Sequence, residues 1–129
     1  MQVSHEHVRP LWPIERAVLD AAAQDYPAST EALQRQAETA QVVHFENTGA
    51  GFFSTVSVGP EAPLLAGRSP LDAATGSVDG IEDGMSFLVF FENGQLSLIE
   101  GYCNGGASTA GTNFADVQFC ITPWSAAGR

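Results

Sequence analysis

Glu100, His44 and Glu46 are the residues of this chain whose types and spacing point most directly to chemistry. His44 and Glu46 stand two residues apart in an extended run, so their side chains leave the same face of a strand. With Glu100 they would form a histidine and carboxylate set for acid/base work, Glu100 acting as general acid or base and the other two assisting. A metal signature needs a third ligand at a defined spacing, which the pattern does not supply, so no metal and no other cofactor is expected. His5 and His7 repeat the same i, i+2 relation near the N-terminus. Ser108-Thr109, inside NGGASTAGTN, would offer hydroxyls and backbone N–H groups to an anion. A phosphate-cradling loop of the usual kind also needs a lysine, and the chain has none. Glu82-Asp83, between Gly80 and Gly84, reads as a turn whose acidic pair is at best a weak cation patch. No G-x-S-x-G, no H-E-x-x-H and no G-x-G-x-x-G after a strand is present.

These side chains have to be held by elements, and the elements are legible. Pro13 followed by Ile14, Ala17, Val18, Ala21 and Ala22 predicts a helix over about 13–25, with proline in the first turn where it is tolerated. Tyr26-Pro27 breaks it. A second helix is expected over about 30–40, carrying a thin stripe of Leu33, Ala37 and Ala40. Short runs rich in β-branched and aromatic residues predict strands at about 42–47, 52–58 and 115–122, and the segment 59–76, with its prolines and glycines, reads as a long loop.

The most informative stretch is MSFLVFFENGQLSLIEGYC. Asn93-Gly94 between two apolar runs is a strong hairpin signal, because both central residues of a type I′ turn need positive φ. Strands are therefore expected at about 85–92 and 95–103. Strict alternation from a Glu92/Gln95 pair sets Phe91 against Leu96, Phe90 against Ser97, Val89 against Leu98, Leu88 against Ile99 and Phe87 against Glu100. One face then carries Phe87, Val89, Phe91, Leu96, Leu98 and Glu100, and the other Leu88, Phe90 and Ile99. Both faces are apolar, whereas a small antiparallel sheet normally keeps one face wet. The helices cover one side; the loop 59–76, a C-terminal segment or a second copy of the chain must cover the other. The candidate binding residues are Leu88, Phe90, Ile99 and Tyr102. The fold class that follows is α+β, a single domain over 1–129 with two N-terminal helices packed on an antiparallel sheet of about five or six strands.

The runs VLDAAAQDYPASTEALQRQAETAQVV, ENTGAGFFSTVSV and FLVFFENGQLSLIEGYCNGG resemble a group of small uncharacterised bacterial proteins with a helical start, a G-x-GFF strand and a late G-x-L-x-x-(L/I)-E-G-(Y/F) hairpin. Gly49, Gly51, Phe52, Phe53, Gly94, Leu96, Glu100, Gly101 and Tyr102 match that pattern, over roughly residues 18–106. The resemblance implies a shared fold and carries no activity or catalytic residue to transfer.

Composition narrows the function classes. The chain has 129 residues, 15 acidic against five basic side chains, and a formal charge of −10. That charge argues against nucleic acid and against anionic membranes as partners. No stretch has the length of an export signal or a membrane span, so a cytoplasmic location is expected. Cys103 and Cys120 are too few for a disulfide framework and read as reduced packing residues. The functional expectation is a non-enzymatic protein-interaction module that engages a protein partner or forms a homodimer. Two alternatives stand beside it: a small enzyme or ligand-binding protein with a pocket between helices and sheet that uses Glu100, and an immunity-type inhibitor of a basic toxin.

Overall fold

Pro13 opens helix α1 (Pro13–Asp25), and the chain turns through a 3-10 segment, Pro27–Ser29, into α2 (Thr30–Thr39). These bounds come from a computed structural model, which describes residues 8–126; His5 and His7 lie outside the described residues. α1 buries Ile14, Val18, Leu19, Ala21, Ala22 and Ala23, and α2 buries Ala32, Leu33, Gln36 and Ala37. The Thr30 hydroxyl donates to the Ala23 carbonyl at 2.6 Å and holds the corner between the helices. The Tyr26 hydroxyl, which donates to the Asp72 carbonyl at 3.4 Å, ties the end of α1 to the sheet. Burial, and next the Asp72 carboxylate, push that phenol above its ordinary pKa.

The sheet has seven antiparallel strands: β1 (Arg9–Pro10), β2 (Gln41–Asn47), β3 (Gly51–Ser57), β4 (Leu71–Val78), β5 (Ile81–Glu92), β6 (Gln95–Cys103) and β7 (Phe119–Pro123). Their order is β1-β2-β3-β6-β5-β4-β7. The α+β class and the antiparallel sheet agree with expectation, whereas the strand number exceeds five or six. β1 is an extra strand that precedes the helices, so they are not the first elements of the chain. β4 is the other addition, and it occupies residues that the sequence pattern assigns to the long loop 59–76. Its Ala73 and Ala74 are fully buried, and small side chains there let α1 approach the sheet closely, which is why β4 lacks the bulky alternation of a typical strand. The last strand begins at Phe119 instead of 115. The residues before it close against the core through Phe114, which lies 4.7 Å from the Phe52 ring, and through a turn in which the Asp116 N–H donates to the Asn113 carbonyl.

The central hairpin has the expected turn, with φ of 52° at Asn93 and 80° at Gly94. Its register differs from strict alternation. Glu92 pairs with Gln95 and Phe91 with Leu96, but Phe90 then pairs with Leu98, Val89 with Ile99, Leu88 with Glu100 and Phe87 with Gly101. Ser97 is the additional residue of a β-bulge, and past it every side chain of β6 changes face. Ile99, fully buried, therefore joins Phe87 and Val89 under the helices, while Leu98 and Glu100 join Leu88 and Phe90 on the opposite face.

The core lies between the helices and the first of these faces. Phe52, Phe87, Met85, Val89 and Ile99 fill it from the sheet, and Ile14, Val18, Leu19 and Leu33 from the helices. Gly101 belongs to this face because a Cβ there would sit 2.7 Å from the Phe52 ring and 3.0 Å from that of Phe87. The two rings occupy the volume that a side chain would need.

Candidate functional site

The second face of the sheet is the candidate site. Cross-strand partners share a face, so the register places Glu46, Phe53, Glu100, Leu88 and Asp72 in one row across β2, β3, β6, β5 and β4. A parallel row holds His44, Thr55, Leu98 and Phe90, and a third holds Gly51, Tyr102, Ser86 and Thr75. Phe53, Leu88, Phe90, Leu98 and Tyr102 remain partly exposed, and Glu46, His44 and Asp72 are exposed. The segments that the sequence offered as covers are spent on the other side. Pro63 and Leu65, in the loop between β3 and β4, reach the Gln36 side chain and the Gly94 carbonyl, and Phe114 enters the core beside Phe52.

The structure brings the three candidate acid/base residues to one face but not into one site. Glu46 and Glu100 flank Phe53 on either side, and two strand spacings set them about 10 Å apart. His44 lies in the next row, opposite Thr55. Glu100 faces Leu88 and Phe53, not Phe87, and points away from the helices, so it cannot line a pocket between helices and sheet. Among the described residues, no group of three or more His, Cys, Asp or Glu side chains is arranged to hold a metal ion. Of the candidate binding residues, Leu88, Phe90 and Tyr102 stand on the open face; Ile99 is withdrawn into the core by the Ser97 bulge.

The glycine-rich loop does not present an anion site. The Thr109 side chain is buried, donating to Asn47 Oδ1 at 2.7 Å and accepting from the Gly51 N–H at 3.1 Å, and the Ser108 hydroxyl accepts from the Ala110 N–H. The adjoining cleft of about 490 Å³ is walled by Asp79 and Asp116, charges that repel an anion. The turn expected at Glu82-Asp83 lies earlier, at Asp79-Gly80; Glu82 and Asp83 are already part of β5, beside the shift in its register with β4, with Asp83 at φ 71° and its carbonyl accepting from Asn104 Nδ2.

Two buried polar clusters that the pattern did not single out fix the scaffold behind the open face. Glu15 is fully buried and receives both Nη groups of Arg9, at 2.8 and 2.9 Å, the Trp12 N–H at 2.7 Å and the Ser54 hydroxyl. Arg9 in turn lies over the Trp12 ring, 3.3 Å from its centroid, a cation–π contact. The cluster locks β1 and the start of α1 to the middle of β3. The sequence signal was a glutamate three residues after the N-cap, the half of a capping box that reaches back to the cap N–H. The second cluster is Gln36, whose Nε2 donates to the carbonyls of Pro63 and Gly94 and whose Oε1 accepts from the Leu96 N–H. One amide holds α2, the loop after β3 and the hairpin turn together.

Both cysteines are free. Cys103 pairs with Met85 on β5 and Cys120 with Ser77 on β4, so the strands carrying them are separated by two others. Burial raises the Cys103 pKa, whereas Cys120 is exposed. Thiol titration of the native chain is therefore expected to give one fast group, lost in Cys120→Ser, and one slower group, lost in Cys103→Ser; equal rates would contradict this placement.

Family models, curated proteins and solved structures were compared with the chain, and none matches it. No helix among the described residues is long and apolar enough to cross a membrane. The functional reading therefore rests on the open face itself.

Proposed function

We propose that the chain is a non-enzymatic protein-interaction module that docks a partner on the open face of its sheet. The observation that supports this reading is the group of five apolar side chains, Phe53, Leu88, Phe90, Leu98 and Tyr102, brought together on the face opposite the helices. Contiguous apolar surface of this kind marks contact sites in monomeric proteins. Aromatic residues near its centre suit an interface core, and the exposed carboxylates around them suit its rim. The expected absence of nucleic-acid and membrane partners follows from the charge of −10. An immunity-type inhibitor of a basic enzyme is one form this module takes, and the proposed location is cytoplasmic.

The test is native mass spectrometry of the chain purified gently from its own host, beside a Phe90→Ser/Leu98→Ser variant. Both positions are on the open face, so the variant keeps its fold, checked by an unchanged melting curve. The wild type is expected to carry a stoichiometric protein adduct that the variant loses. A bare monomer from both, or the same adduct on both, would overturn the reading.

A further inference from the structure

Resting on that reading, we infer that the open face takes an amphipathic α-helix of a partner protein, with basic side chains at seven-residue spacing and apolar side chains between them. The inference comes from the row Glu46, Phe53, Glu100, Leu88, Asp72, in which acidic and apolar side chains alternate from strand to strand. Neighbouring strands lie about 4.8 Å apart, so successive carboxylates recur about every 10 Å, with Phe53 and Leu88 at the midpoints. A helix rises 1.5 Å per residue, so positions i and i+7 on one face are about 10.5 Å apart and i+3 or i+4 falls halfway. Arginine or lysine at the first position of each heptad and leucine at the fourth reproduces the row in complement. An extended strand does not match it, since its same-face side chains recur at about 6.8 Å.

Charge selects this occupant over a second copy of the chain. β2 to β7 contain neither arginine nor lysine, and Arg9 on β1 is committed to Glu15. Two copies meeting face to face would set carboxylate rows against each other on chains of charge −10 each, with no cation on those strands to separate them.

The test uses a designed peptide of three heptads with arginine at each first position and leucine at each fourth. Two control peptides carry glutamate for arginine, or serine for leucine. Binding is followed by anisotropy at moderate salt and mapped by amide shifts on the full chain. Only the arginine–leucine peptide is expected to bind, with shifts centred on Phe53, Leu88, Leu98 and Glu100. The Glu46→Gln/Glu100→Gln/Asp72→Asn variant, which changes charge but little volume, is expected to weaken binding at least tenfold. Equal binding by the serine peptide, shifts on the helices, no binding by the arginine–leucine peptide, or indifference to the triple variant would each overturn the inference. A dimer of the free chain that Phe90→Ser/Leu98→Ser dissolves would overturn it in favour of a second copy. The docking reading fails separately: it falls if the Phe90 and Leu98 substitutions leave the native adduct in place, whatever the peptides do.

Discussion

Replacing Glu15 by alanine is expected to destabilise the fold by about 3 kcal/mol. Removing one partner of a buried ion pair costs roughly 3–5 kcal/mol, because the other charge stays behind without compensation. Arg9 keeps 19% of its side-chain surface exposed, against none for Glu15, which places the effect at the low end. The substitution also strands the Ser54 hydroxyl and the Trp12 N–H, both of which donate to this carboxylate. Denaturant unfolding at constant m-value measures the loss. A shift of the midpoint worth less than about 1 kcal/mol, the range of an exposed ion pair, would mean that the cluster is not closed in solution.

Gln36→Leu is expected to destabilise the fold by a different route. Leucine fits the surrounding volume but leaves the Leu96 N–H and the Pro63 carbonyl without the partner they have now. An orphaned buried polar group costs about 1–3 kcal/mol; the buried Leu96 N–H incurs it, whereas the carbonyl of Pro63, an exposed residue, turns to water. The Gly94 carbonyl is spared, since it also accepts from the Leu65 N–H at 2.8 Å. Gln36→Glu is expected to be worse, because a carboxylate would face two carbonyl oxygens where the amide donates to both. Hydrogen exchange at Leu96 distinguishes the mechanism: it should accelerate in both variants well before global unfolding. Protection of Leu96 at the wild-type level would contradict the role given to Gln36.

The two helices and the hairpin turn were legible because each rests on local chemistry: proline in a first turn, apolar residues at helical spacing, positive φ at Asn93-Gly94. The register beyond the turn was not. Turn type fixes the pairs nearest the turn and says nothing about an insertion further along, and Ser97 is such an insertion. A signal was nevertheless present. Strict alternation buried Glu100 on an apolar face, which costs free energy unless the charge is paired, and it put Leu98 and Ile99 on opposite faces with no way to tell which was the core. A bulge removes the conflict by turning Glu100 outward.

β4 was missed for another reason. Ala73, Ala74 and Gly76 carry no strand propensity, and their place in the sheet is set by what packs over them. Glu15 and Gln36 were hidden because a polar residue on a helix reads as solvent-facing. Their burial depends largely on groups far along the chain, up to 60 residues away between Gln36 and Leu96. Of the candidate site, Leu88, Phe90, Tyr102, His44, Glu46 and Glu100 were found from the sequence, but their grouping with Phe53, Leu98 and Asp72 required the register.

The central claim is that one face of the sheet is open in the free chain, and hydroxyl-radical footprinting of the monomer tests it most directly. Five aromatic rings report on it: Phe53, Phe90 and Tyr102 from the open face, Phe52 and Phe87 from the core. The first three are expected to oxidise readily and the last two to stay protected until the chain unfolds. Protection of Phe53, Phe90 and Tyr102 in the monomer would show that the chain covers this face itself, and would contradict the account.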